Sequence, residues 1–487
     1  MTFGKKVRFI DLFAGIGGFH HAALKVFPDA ECVMAVEWDK DCQKVYSTMF
    51  PETDLRGDIR EVLSITRDGQ TQEASADEIR THNLVPEHDI LFAGFPCQPF
   101  SKGGTQEGMS DTTRGTLFHE IIRIIEARRP EIVVLENVSN LVGHDNGRTW
   151  STIIQSLLSH KYSVDPNPLV ISPHKITEAS GGTPQSRPRV YIIAVNTEYG
   201  LQAPQNDRLL SADDSLSSTT NHNLIDFLGA TLELALPISE SEALWLNAWD
   251  EFLSRIPSSE IPSFPIWVDA WYGKMKLPKQ IANSGATIRS GLRSEKLAGW
   301  MGESISAPSP NPEQPYRPQW WRDIESKNLG FYAKHADELD TWYSRWGVSS
   351  FPDTRRKLEW QAKSIRRETP NQTLRDCLIQ LRPSGIRVRP PTYAPALIAM
   401  NQAPIIGLLS GWKKFGPTQA AKLQGFPVEY FDQQPRGEVV PIKAATYLKQ
   451  LGNAVHVGVA ALVLRRALEH RGARNVVADQ LQWQISL

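Results

Sequence analysis

Cysteine is scarce: four in 487 residues (Cys32, Cys42, Cys97 and Cys377), with no Cys-x-x-Cys spacing. That excludes a disulfide-framed secreted fold and the usual zinc sites, so no metal is expected. A cysteine that matters here matters singly, as a thiol. Missing too is any unbroken apolar run of roughly 18 residues, the length of a membrane span. The short basic start, residues 1–8, leads into a strand-like pattern rather than a signal-peptide core. A cytoplasmic protein with no membrane partner is the expectation. Charge of one sign is lacking as well: 53 Lys and Arg face 54 Asp and Glu, a net charge of −1. This balance is silent on nucleic acid, whose binding needs a local basic surface and not a basic average. What is present, 41% apolar and 22% charged residues, suits a soluble globular chain. Its length exceeds one ordinary core and suits two or three domains.

The first two hundred residues alternate between strand and helix patterns. Residues 7–12, 32–36, 88–95, 132–135 and 190–195 are apolar runs of strand length, and 20–27 and 114–128 carry helical spacing. This β-α-β rhythm predicts an α/β fold with a doubly wound, mostly parallel sheet. After about residue 196 the rhythm dissolves into Pro-, Ser- and Trp-rich sequence, with ten of the fourteen tryptophans between Trp245 and Trp360. A second, smaller and irregular domain with an aromatic core is expected there. Residues 351–390 hold ten Lys and Arg against four Asp and Glu, consistent with a nucleic-acid face or with an ordinary solvated one. The expected division is 1–196, a catalytic and cofactor-binding domain; 197–435, a recognition domain; and 436–487, a segment returning to the first.

Phe13-Ala14-Gly15-Ile16-Gly17-Gly18 follows the first strand and precedes the first helix, where glycines let the backbone turn tightly beside a ligand. Glu37 comes nineteen residues after Gly18, at the end of the second strand, placed to accept from both hydroxyls of a ribose. These features suit a nicotinamide, flavin or S-adenosylmethionine enzyme. A dinucleotide fingerprint wants glycine at position 20, where this chain has His20. Asp58, after Gly57, is a candidate acceptor for an adenine amino group.

The strand 88–95 ends in Pro96-Cys97-Gln98-Pro99, so Cys97 lies beyond the carboxyl end of a strand, where open α/β sheets bind ligands. A glycine-rich polar stretch, Lys102 to Gly108, follows. Glu136 ends the next strand on the same rim. Arg187 and Arg189, two apart on an extended segment, point the same way and suit phosphate or a carbonyl oxygen. Each residue taken alone also has a bland reading, as a buried thiol or a surface charge.

Their order resembles the cytosine-5 DNA methyltransferase family, of the bacterial restriction–modification type. The loop from Asp11 to Gly18, Pro96-Cys97-Gln98, Glu136-Asn137-Val138, and Gln185-x-Arg187-x-Arg189 appear in that family's order. Leu423-Gln424-Gly425-Phe426-Pro427 and Gln450-Leu451-Gly452-Asn453-Ala454-Val455 resemble its last two motifs. Two departures stand out: His456 where the family often has proline, and Gly416-Pro417-Thr418-Gln419 where an Arg-Leu-Thr-like stretch is usual.

The resemblance implies a methyltransferase-type sheet and a separate target-recognition domain. It implies transfer of a methyl group from S-adenosylmethionine to cytosine carbon 5 in a specific double-stranded DNA sequence. Cys97 would attack carbon 6 of a flipped-out base, Glu136 would bond nitrogen 3 and the amino group, and Arg189, backed by Arg187, the carbonyl oxygen. Phe13, Gly15, Gly17, Gly18, Glu37, Trp38, Asp58, Ile59, Pro96, Asn453 and Val455 would line the donor pocket. Gln98, Ser101 and Lys102 would lie near the DNA, joined from the basic stretch by Arg366 and Arg367. A bacterial monomer, sharing its site with a cognate restriction endonuclease without a stable complex, completes the expectation. Alternatives are an RNA cytosine-5 methyltransferase of the same fold, a non-catalytic DNA-binding accessory subunit, and a nicotinamide oxidoreductase. The last would leave Cys97 and the arginine pair without work.

Overall fold

A computed structural model describes residues 6–96, 117–200, 202–216, 223–271, 318–361, 373–397, 403–431 and 443–470. Cys97, Gln98, Ser101, Lys102, Arg366 and Arg367 lie outside the described residues. The chain forms two compact units. The first comprises Met1–Ala235, Thr392–Asn401 and Phe415–Leu487, and the second Leu236–Pro391 and Gln402–Lys414.

The first unit is built on an eight-stranded sheet. Its strands are β1 (Arg8–Leu12), β2 (Glu31–Val36), β3 (Leu55–Arg56), β4 (Ile90–Ala93), β5 (Ile132–Val138), β6 (Tyr162–Val164), β7 (Leu169–Ile171) and β8 (Arg189–Asn196). The order is β3-β2-β1-β4-β5-β8-β6, with β7 also on β8. The pairs from β3 through β5 are parallel, while β8 runs antiparallel to β5, β6 and β7. The expected doubly wound, mostly parallel sheet is the one observed. Order reverses between β1 and β4, and that is where such sheets open a crevice at their carboxyl ends.

The strands read as continuous apolar runs because both faces are buried. Phe9, Ala35, Phe92, Val134 and Ile193 face one core, and Ile10, Met34, Leu91, Val133 and Ile192 the other. Helices α1 (Gly18–Val26) and α2 (Lys40–Met49) pack on the first face, and α3 (Leu117–Arg128) and α4 (Arg148–Ser159) on the second. The chain's last described part returns to the first face as α5 (Pro417–Gln424), α6 (Ala444–Asn453) and α7 (Val457–His470). By length and composition the stretch Ala444–Glu469 is apolar enough to cross a membrane. Of its 18-residue apolar window 83% is buried inside the protein, so the stretch is core. Residues 197–235, where the sequence rhythm dissolves, belong to this unit: Arg466 of α7 binds Asp214 at 2.9 Å.

The second unit carries a seven-stranded mixed sheet, of β9 (Leu236–Pro237), β10 (Ile266–Trp267), β11 (Lys357–Trp360), β12 (Leu378–Arg382), β13 (Gly385–Arg389), β14 (Ile405–Leu408) and β15 (Gly411–Lys414). They stand in the order β9-β15-β14-β12-β13-β11-β10. Helices Glu240–Arg255, Gln319–Lys334 and Ala336–Trp346 accompany them. The expected aromatic core is present: Trp249, Trp271 and Trp342 are fully buried. Each indole N–H there donates to a backbone carbonyl, of Arg355 (2.9 Å), Asn328 (3.0 Å) and Ala248 (2.6 Å) respectively. Paired in this way, a buried indole adds area without stranding a donor. The irregularity expected of this region lies in its connections and in strands of two to five residues.

Candidate active site

The chain leaves β1 through three left-handed residues at alternating positions: Phe13 (φ 57°), Gly15 (φ 56°) and Gly17 (φ 83°). Glycine takes this conformation freely, whereas for Phe13 it costs on the order of 1 kcal/mol. That strain sits at the sheet's carboxyl rim, where functional loops keep it. A side chain on Gly17 would meet the Phe50 ring at 2.5 Å. One on Gly18 would meet the Val455 carbonyl oxygen at 2.6 Å, so Gly18 admits the chain's far end to the loop. Among the described residues nothing lies within 4 Å of where Gly15 would carry a side chain, which leaves its α-carbon open to a ligand.

Glu37 is pinned at the end of β2. Its two carboxylate oxygens accept from the Gly15 amide (2.8 Å) and the Asp39 amide (2.7 Å). Burial raises its pKa, and these backbone donors oppose the shift. A carboxylate oxygen accepts more than one bond, so both retain capacity for a diol. Beside it Trp38 is 74% exposed, an uncovered indole face. Asp58 caps the short helix Ile59–Val62 by accepting from the Arg60 amide at 2.9 Å. The Ile59 side chain is buried in the core. His20, at the position a dinucleotide motif gives to glycine, stacks on Phe50 with ring centroids 3.5 Å apart. Its Nδ1 pairs with the Tyr46 hydroxyl at 2.8 Å, and burial lowers its pKa to about 3. It is packing and not a ligand.

Further along the same rim Glu136 is buried near the end of β5, with the Arg189 Nε 3.2 Å from its Oε1. Antiparallel pairing sets Glu136 opposite Tyr191 and Arg189 opposite Val138, which brings the two charges together on one rim. Burial raises the Glu136 pKa, with Arg189 and then Arg187 opposing. The pair can therefore present a carboxyl group able to hold a proton next to a fixed cation. Gly94, at the end of β4, lies beside Glu136 and Val455. Pro96 follows it, exposed.

Two side chains of this rim bond backbone carbonyls of distant segments. Arg187 is 1% exposed, and its Nη1 and Nη2 donate to the carbonyls of Gly452 (2.9 Å) and Ala454 (2.7 Å). It grips the chain's last motif, and both terminal nitrogens are committed to backbone. Burial and the nearby Arg189 lower its pKa to about 10. Asn137, not singled out from sequence, donates from Nδ2 to the Phe95 carbonyl at 2.9 Å, two residues before Cys97. Its only sequence signal was its place after Glu136. Of the last motif, Asn453 is exposed at the end of α6 and Val455 is buried against Gly18.

In the second unit, the basic stretch sorts into structural and exposed parts. Arg355 lies over the Trp245 ring, Arg356 pairs with Asp269 and Asp353, and Arg375 lies over Trp412. Arg387 and Arg389 of β13 alternate with buried Ile386 and Val388, so they share the sheet's other face. Arg387 Nε bonds Glu359 at 2.7 Å, and Arg389 Nε bonds Gln361 at 3.0 Å. Partial burial and repulsion from Arg387 and Arg389 lower the Arg382 pKa, with Glu359 opposing. Three arginines thus share one face with one glutamate.

A doubly wound sheet with a glycine loop, a carboxylate pinned by two backbone amides and a buried acid–arginine pair on one rim defines an α/β enzyme of the nucleotide-handling kind. The profile of the C-5 cytosine-specific DNA methylases matches residues 7–469, and the chain belongs to that family. It is similar to the type II methyltransferase M.AluI of Cellulosimicrobium cellulans, at 35% identity over 94% of this chain and 91% of that protein. The type II methyltransferase M.HhaI of Haemophilus parahaemolyticus is 39% identical over 40% of this chain and 51% of its own length. The DNA-cytosine methyltransferase of Escherichia coli K12 is 39% identical over 40% of this chain and 43% of its own length. The chain is a DNA (cytosine-5-)-methyltransferase of the restriction–modification type.

Proposed function

We propose that the enzyme takes the methyl group of S-adenosylmethionine and places it on carbon 5 of a cytosine rotated out of duplex DNA. The observation that carries this reading is the buried Glu136–Arg189 pair beside the Gly94–Phe95 strand end that leads to Cys97. The donor site fits on its own terms. Gly15 is open, Glu37 is preset by two backbone donors, and Trp38 offers an uncovered face for an adenine. When bound, the donor supplies an electrophilic methyl group on a sulfonium.

The residues of this chain do the rest. Cys97 adds as thiolate to carbon 6, which converts the ring to an enamine-like nucleophile at carbon 5. Glu136, its carboxyl pKa raised by burial, holds a proton against ring nitrogen 3 and accepts from the amino group, so charge gathering there is neutralised. Arg189 donates to the ring carbonyl oxygen. Asn137 and Arg187 are positioning residues, the one for the loop before Cys97, the other for Asn453 and Val455. Carbon 5 forms its bond to the methyl group as the sulfonium carbon–sulfur bond breaks. A base then takes the carbon 5 proton, and the Cys97 thiolate leaves. A buried Watson–Crick edge cannot be reached inside a duplex, so the base must flip, at about a few kcal/mol.

The second unit reads the DNA sequence, with Arg382, Arg387 and Arg389 supplying cations for it. The enzyme acts as a monomer, and its product shields the site from a cognate endonuclease. The test is incubation with S-adenosylmethionine and a DNA pool, an RNA pool run in parallel, followed by nucleoside mass spectrometry. 5-Methylcytosine in DNA alone is expected. A methylated amino group, or product in RNA alone, would overturn the reading.

A further inference from the structure

His456 departs from the proline common in the family, and the structure gives it partners on both ring nitrogens. The Val459 amide, which can only donate, lies 3.1 Å from His456 Nδ1. Nδ1 therefore accepts and carries no proton. A neutral ring then bears its proton on Nε2, which donates to the Thr183 hydroxyl at 2.9 Å. That hydroxyl in turn donates to the Leu423 carbonyl at 2.7 Å. The chain of donors has one direction: Val459 to His456 to Thr183 to Leu423. All of it is buried, with His456 1% exposed and Thr183 5% exposed. Burial holds the ring neutral, its pKa lowered to about 3.

The same segment is gripped on either side of His456. Arg187 holds the carbonyls of Gly452 and Ala454. Gly458 lies backbone to backbone with Gly181: a side chain on Gly458 would sit 2.0 Å from the Gly181 oxygen. Residues 452, 454, 456 and 458 are thus each held, by Arg187, Thr183 or Gly181. Val455, between two of them, lies against Gly18 of the glycine loop and Gly94 of the β4 end.

We infer that His456, Thr183 and the Leu423 carbonyl form a latch that seats residues 453–455 against the glycine loop, which makes His456 and Thr183 positioning residues for donor binding. The inference rests on the donor site proposed above. A purely structural latch would set thermal stability alone. A positioning latch sets donor affinity at temperatures where every variant is folded.

The experiment is calorimetric titration of the full chain with S-adenosylhomocysteine, with Thr183→Val, Thr183→Ser and His456→Phe alongside. Thr183→Val is nearly isosteric but strands the His456 donor and the Leu423 acceptor. About tenfold weaker binding is expected of it. Thr183→Ser keeps the hydroxyl and should restore binding to within about twofold, and His456→Phe should match or exceed the Thr183→Val loss. In turnover the Thr183→Val change should appear in the donor KM rather than in kcat. Hydrogen exchange at the Val459 amide should quicken in Thr183→Val with no ligand present, a readout independent of the donor. A folded Thr183→Val protein with wild-type donor affinity, whether or not its Val459 exchange quickens, would overturn the inference alone. A wild-type protein that binds no donor analogue would overturn the donor-site reading, and the latch as a device for donor binding with it.

Discussion

The two compact units solve the same problem, burying a sheet, with different chemistry. The first uses aliphatic strands buried on both faces, and its candidate functional groups sit along one rim of the sheet. The second uses tryptophans whose indole N–H groups are paired one by one, and its candidate DNA-facing charges lie on a sheet face. In the first, position on the rim confers chemistry. In the second, the face is the surface, and the core only has to hold it still. Losing a rim residue should therefore remove a step, whereas losing a core tryptophan should remove a whole surface.

The largest effect expected is at the rim. Glu136→Gln cannot pass a proton between itself and ring nitrogen 3, and should lower kcat about 10³-fold, within the range for a positioned acid. Donor affinity should stay near wild type, and single-turnover kinetics with saturating donor would check this. Trp342→Ala should cost about 3–5 kcal/mol in the second unit's core. Hydrogen exchange should show loosening of 236–391, and DNA binding should fall while donor binding survives. Equal loss of donor binding would break the comparison between the units.

Acid should sharpen it. His20, His88 and His456 are buried in the first unit with pKa lowered to about 3, 4 and 3. The folded state keeps them neutral, while the unfolded chain takes up protons below about pH 6.5. These histidines therefore remove stability as pH falls from about 6.5 toward 4, at up to about 1.4 kcal/mol per histidine per pH unit, and the buried carboxyls Asp11, Glu37, Glu120 and Glu136, whose pKa burial raises, offset part of that loss. Tryptophan fluorescence reports mainly on the second unit, since ten of the fourteen lie between Trp245 and Trp360. Far-ultraviolet dichroism and exchange in the first unit should change at higher pH than that fluorescence. The smallest effect is at the DNA face. Arg387→Ala should weaken DNA binding about tenfold and reduce the salt slope by about 1, with the donor Kd unmoved.

Much of the first unit was legible in the sequence, because its chemistry depends on residue type at a strand end. The glycine loop, Glu37, Glu136 and Arg189 all stood out in that way. What was not legible was who holds whom. Arg187 reaches carbonyls 265 and 267 residues away, and Asn137 a carbonyl 42 residues away, distances at which spacing carries no signal. Arg187 thus read as a charge for the substrate when both its terminal nitrogens serve the backbone. His456 registered only as a departure from a motif, and its role came from partners in two other segments. In the second unit, strands of two to five residues are too short for alternation to show, so only the tryptophans and the local charge excess gave it away.

The central claim is covalent attack by Cys97, and trapping tests it most directly. DNA carrying 5-fluorocytosine is mixed with S-adenosylmethionine and either the wild-type chain or Cys97→Ser. Fluorine at carbon 5 cannot leave as the proton does, so the account predicts a denaturation-resistant, methylated protein–DNA adduct with the wild type and none with Cys97→Ser. An adduct that persists in Cys97→Ser, or wild-type turnover on ordinary DNA with no adduct on the fluorinated one, would contradict it.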